Sequence, residues 1–105
     1  ESFHIIEGVA DVIIFNEDGN IKEVFRLGDY SSGLPFYFRV SNTSFYHTLI
    51  LRTDYLVYHE TATGPFQKSD SIVAPWAPSE SDTESIKIYM NALETRVANH
   101  QNSLG

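Results

Sequence analysis

The first sixty positions carry short runs of β-branched and aromatic residues broken by turn residues, the pattern of consecutive strands. Phe3-His4-Ile5-Ile6 and Val9 to Phe15 read as two such runs, with Gly8 between them. Asn16-Glu17-Asp18-Gly19-Asn20 is a turn cluster with an Asp-Gly pair, so Ile21 to Leu27 is predicted to return as a hairpin. Asp29 to Pro35 reads as a loop. In the next strand Phe36, Phe38 and Val40 share one face, and Tyr37 and Arg39 the other. Beyond the polar turn Ser41 to Ser44, Tyr46 to Leu51 and Tyr55 to Glu60 are expected to pair across Arg52-Thr53-Asp54. Strands at this spacing predict an antiparallel sandwich or barrel.

The pattern changes after residue 60. Thr61 to Ser81 holds Gly64-Pro65-Phe66 and Ala74-Pro75-Trp76-Ala77-Pro78, whose prolines exclude regular helix and central strand. A helix is predicted from Ser81 or Asp82, either able to cap it, with Glu84 in its first turn. Ile86, Met90, Leu93 and Val97 form an apolar stripe that docks the helix onto the sheet or onto a second subunit. The helix is expected to fray from Asn99 to Gly105.

Composition narrows the function classes. A chain of 105 residues is one domain, and 42% apolar residues exclude disorder as its default state. The absence of cysteine excludes disulfides, thiolate metal sites and cysteine nucleophiles. A net charge of −7 repels phosphate backbones, so no nucleic-acid partner is expected. Apolar runs are too short to span a membrane and no signal peptide opens the chain, so a cytoplasmic location without a membrane partner is expected. The chain starts at Glu1 within what reads as a strand, as a fragment of a longer product would.

Candidate chemistry rests on histidines. His100 sits in the helix tail and reads as solvated. His47 shares a face with Leu49 and Leu51, where it is either a satisfied core residue or a ligand in a lined cavity. His59 and Glu60 are adjacent, so one faces inward, and alternation does not choose between them. His4 is out of phase with Glu1, Phe3 and Ile5, and points outward if Glu1 points in. No phosphate-binding loop, dinucleotide fingerprint or nucleophile elbow is present. Asn42-Thr43-Ser44 fits a glycosylation sequon and reads as a plain turn.

Three stretches carry a resemblance to the WbuC-family cupin-fold metalloproteins. Glu1-Ser-Phe-His-Ile-Ile-Glu-Gly8 with Val12-Ile-Ile-Phe-Asn-Glu-Asp-Gly19 is similar to the closing half of the first cupin motif. Tyr46-His47-Thr48-Leu49 resembles the end of the second. His59-Glu60, Gly64-Pro65-Phe66 and Ala74-Pro75-Trp76-Ala77-Pro78 resemble the C-terminal signature. The resemblance implies an all-β, antiparallel cupin-type barrel or jelly roll over 1–80, N-terminally incomplete, with a C-terminal α-helix over 81–100 packed on the same domain.

The resemblance also implies a site. Such cupins bind one divalent metal ion (Zn, Fe, Mn or Ni) through two histidines and a glutamate of the first motif and a histidine of the second. Glu1 matches that glutamate and His47 the second-motif histidine, and the remaining His-x-His pair is expected just upstream of Glu1. Asn42 and Ser44 stand where the second motif usually has proline and glycine, so that loop departs from the family's turn. A chain with Glu1 and His47 as its two matching ligands is expected to hold metal weakly or not at all. Phe3, Phe36, Phe38 and Tyr58, with Glu60, are the candidate pocket. Two functions follow. One is a metalloprotein binding or modifying a small molecule, a sugar derivative in surface-polysaccharide biosynthesis, by isomerisation, epimerisation or oxidation. The other is a metal-free small-molecule-binding or dimeric interaction module. A homodimer is expected in either case, and the exposed sheet edge is expected to be covered either by a partner subunit or by native residues upstream of Glu1.

The charge balance has a direct consequence. With a pI near 4.8, the protein should pass unretained through heparin and DNA columns at physiological salt. Retention there would reveal segregated charge and reopen polyanion partners.

Overall fold

The computed structural model describes residues 2–39, 46–61, 74–79 and 81–104. Six strands and one helix follow in order: β1 Ser2–Glu7, β2 Val9–Phe15, β3 Ile21–Gly28, β4 Tyr37–Arg39, β5 Tyr46–Leu51, β6 Val57–Thr61 and α1 Thr83–Leu104. They build two three-stranded sheets, in the orders β4-β1-β6 and β3-β2-β5, and every ladder is antiparallel. The first is called the outer sheet below and the second the central sheet. No ladder joins them among the described residues, so the architecture shown is two facing antiparallel sheets with a C-terminal helix.

Among the described strands only the β2–β3 hairpin keeps the chain in one sheet; every other step from one described strand to the next changes sheet. The Asn16–Asn20 turn closes that hairpin through Asn16 N donating to Asn20 O (2.8 Å), with Gly19 at φ 93°. The expected pairing of residues 46–51 with 55–60 is corrected here. β5 pairs with β2 and β6 with β1, so residues 52–56 cross from one sheet to the other. Local alternation identifies a strand but carries no information on its partner, and here each strand finds its ladder in an earlier one.

β2 explains the layering. Residues 10–15 are buried on both faces. On one face Val12 and Ile14 pack with Ile5 of β1 and Leu27 of β3, joined by Phe38, Leu49 and Leu56, which fills the space between the sheets. On the other face Ile13 and Phe15 pack with Ile50 of β5 and with Leu93 and Val97 of α1. The helical stripe therefore docks on the far side of the central sheet. Asp82 caps this helix: its carboxylate accepts from Ser85 N (3.0 Å) and Ser85 Oγ (2.7 Å). The helix continues to Leu104, beyond the fraying expected at Asn99. Along its length, Arg96 donates to Gly19 O at the hairpin tip (2.6 Å) and Glu94 accepts from Arg52 (2.9 Å).

One polar group interrupts the helix-facing core. Asp11 is fully buried in β2 and accepts from Arg26 Nε of β3 (2.8 Å) and Arg52 Nε (2.9 Å). Burial pushes its carboxyl up, but hydrogen bonds and charge from the two guanidiniums outweigh it and hold it below its ordinary value. Arg52 passes the connection on to Glu94, so one ionic chain ties two neighbouring elements and the helix to β2.

A depressed folded-state pKa means that Asp11 contributes stability fully above the ordinary aspartate value of 3.8, and that this share is lost as pH falls below it. Asp11→Asn should therefore melt lower at neutral pH and show a shallower loss of melting temperature on acidification. The arginines are 48% and 27% exposed and keep partial hydration, so we expect a cost of about 1–3 kcal/mol, below the range for a fully buried pair. Equal acid limbs for mutant and wild type would show that other carboxylates set the acid stability.

Candidate functional site

His47 stands on β5 opposite Ile14, and so faces the space between the sheets. Its ring lies 5.7 Å from that of Phe3, edge-on at 66°, and Phe3 in turn lies 5.9 Å from Tyr58. The ladders of the outer sheet set the other side. Phe3 is opposite both Phe38 and Glu60, and Ile5 is opposite Tyr58, so these five residues share the face turned toward the central sheet. Phe3 is buried, Phe38 half-buried, and Tyr58 and Glu60 lie exposed on the edge strand β6. Phe38 also packs on Phe25 of β3, centroids 5.0 Å apart. The structure thus brings His47, Phe3 and Tyr58 into one cluster, with Phe38 and Glu60 flanking Phe3.

The same register resolves the pair that alternation left open: Glu60 takes the inner side, and His59 stands opposite His4 on the outer face. Phe36 lies apart from the cluster, just before β4, its ring 5.6 Å from His4 and 6.0 Å from Tyr30. Glu1, Asn42, Ser44 and the Gly64-Pro65-Phe66 segment lie outside the described residues. Among the described residues no three histidine, aspartate or glutamate side chains are grouped to hold a metal ion.

Two further clusters stand away from His47. Where β1 turns into β2, an open depression of about 450 Å³ is lined by Glu7, Gly8, Asp29, Thr53, Asp54 and Tyr55. Its polar groups fasten three connections together. Asp29 accepts from Gly8 N (3.0 Å), Val9 N donates to Thr53 Oγ1 (3.1 Å), and Thr53 Oγ1 donates to Tyr55 O (2.7 Å). The Gly8 amide, with Ser31, holds the Asp29 carboxyl below its usual value; the Glu7 carboxylate, accepting from Tyr55 Oη at 2.6 Å, pushes that phenol up. This corner lies at the opposite end of β2 from His47.

The second cluster surrounds Trp76 of the Ala-Pro-Trp-Ala-Pro segment. Its indole packs on Phe15 (4.8 Å), Tyr46 (5.8 Å) and Tyr89 (6.1 Å), and its Nε1 donates to Glu17 O (2.9 Å). The segment closes one end of the helix-facing core, a packing role. No protein-family model, no curated protein and no solved structure matches the chain.

The corner offers a sharp test of how the sheets are joined. Gly8 has φ 104°, and a Cβ there would lie 2.6 Å from Tyr55 O and 2.8 Å from Thr53 Oγ1. Gly8→Ala should therefore cost at least about 1–3 kcal/mol by chemical denaturation. A variant as stable as wild type would mean that the sheet-changing turn is free to relax.

Proposed function

We propose that this chain is a cupin-type jelly-roll protein that binds a small polar molecule in the cleft between its sheets, at the His47 end. The resemblance favours a sugar derivative of surface-polysaccharide biosynthesis as its class. The observation that carries the reading is His47 set edge-on to Phe3 between the two sheets, with Tyr58 beside it. A strand order that changes sheet at almost every connection is in keeping with a jelly roll. In this reading the His47 imidazole binds a ligand oxygen, Glu60 accepts from ligand hydroxyls, and Phe3, Phe38 and Tyr58 cover the apolar face of the sugar ring.

The metal belongs to the same proposal. No three described donors are grouped around His47, so Zn, Fe, Mn or Ni bound there would need Glu1 and the expected upstream histidines beside it. Bound there, a metal would polarise a ligand oxygen. The second reading, a metal-free binding module, is favoured by the same geometry because His47, Tyr58 and Glu60 can hydrogen-bond a ligand unaided. We carry the expected homodimer into both readings.

His47→Ala separates them. In protein that includes the native residues upstream of Glu1, purified without chelators, the metal reading expects bound metal to fall about tenfold or more while the fold survives. A loss of about 1–3 kcal/mol with unchanged metal content makes His47 a core residue instead. Wild-type protein without stoichiometric metal by elemental analysis leaves the metal-free module.

A further inference from the structure

We infer that His4 and His59 form a second, surface metal site, a two-imidazole clamp for a divalent transition-metal ion on the outer face of the outer sheet. The two histidines are direct partners in the β1–β6 ladder, far apart in sequence but side by side in space. Both are exposed, and both stand on the face turned away from His47. Directly opposed residues of antiparallel strands hold their Cβ atoms about 4.5–5.5 Å apart. Two imidazoles leaving the sheet in parallel at that spacing can converge on one ion with metal–nitrogen distances of about 2.0–2.1 Å.

The surroundings favour a metal over a plain solvated pair. The Phe36 ring against His4 restricts its imidazole, so less freedom is lost when it coordinates. Across β1 from His59, Tyr37 is opposite His4, and its hydroxyl donates to Ser2 Oγ (3.1 Å), so a neutral hydrogen bond borders the pair. The net charge of −7 favours cations over the molecule as a whole, against the positive charge of Arg39, opposite Ser2 on the same face. With two nitrogen donors and the remaining positions open to water, the site suits an ion tolerant of mixed nitrogen and oxygen ligands. Cu(II) should bind most tightly, then Ni(II), with Zn(II) below Cu(II). The site stands on residues that the proposed cleft does not use, and it holds or fails independently of that cleft.

The test is titration of the full chain with Cu(II) and Ni(II) by calorimetry, for wild type and four single variants. His4→Ala and His59→Ala should each weaken Cu(II) binding about tenfold or more, and the double variant should be little worse than either single one. His100→Ala should leave it unchanged, and His47→Ala reports separately on any ion held in the cleft. Loss of binding in His4→Ala but not in His59→Ala would place the ion elsewhere near the start of the chain and overturn the pair. Dependence on His47 alone would overturn it too, while supporting the cleft. As a check that needs no variant, paramagnetic Cu(II) should broaden the amide signals of β1 and β6 around His4 and His59 first. Broadening centred on β5 would refute the assignment.

Discussion

β2 is covered on both faces, and the rest of the structure follows from that constraint. A strand in the middle of a two-sheet sandwich with one open side would need apolar residues only at alternate positions. Val9 to Phe15 has them on both sides, so each face needs its own cover. The outer sheet supplies one through Ile5 and Phe38, and α1 supplies the other through Leu93 and Val97. The molecule is therefore three layers deep, with the central sheet as the middle layer. Asp11 is the exception within that strand. A carboxylate fully removed from water is tolerable because two arginines from neighbouring segments converge on it. The same arrangement ties the helix to the sheet through Glu94, so a polar defect serves as a positional lock.

The second constraint is that successive strands change sheet. Such crossings need tight turns, and the first is built at Gly8, where backbone from β1, the Asp29 loop and the Thr53–Tyr55 segment meet through hydrogen bonds. Asp29 holds backbone together in this corner, and Glu7 accepts from the Tyr55 hydroxyl. The depression they line is better understood as a join between sheets than as a binding site. At the other end of β2, His47 meets the aromatic residues Phe3 and Tyr58 of β1 and β6.

The parity of a single strand then divides the histidines between two environments. Phe3 and Ile5 of β1 enter the core, and His4 between them cannot follow. Its ladder partner His59 is carried outward with it, and Glu60 is carried inward. The aromatic cluster that meets His47 and the outer pair His4–His59 thus lie on opposite faces of the outer sheet. A one-residue slip of β6 would exchange Glu60 for His59 on the inner face, so the register of this strand decides which side chains each face carries.

Most strands, the hairpin at Asp18-Gly19 and the Asp82-capped helix with its Ile86, Met90, Leu93 and Val97 stripe were legible in the sequence, because each rests on interactions within a few residues. The inward direction of His47 was legible for the same reason: alternation along β5 needs no partner. Other features depended on residues distant in the chain. Whether His59 or Glu60 faces the central sheet was set by the β1–β6 ladder, and the pairing of β5 with β2 rather than β6 by the competition among all strands for the central position. The burial of Asp11 was invisible because its two arginines come from different segments. Local pattern determines what each segment becomes, because backbone hydrogen bonding and side-chain period are short-range; which segments meet is decided only when the whole chain closes on its buried strand.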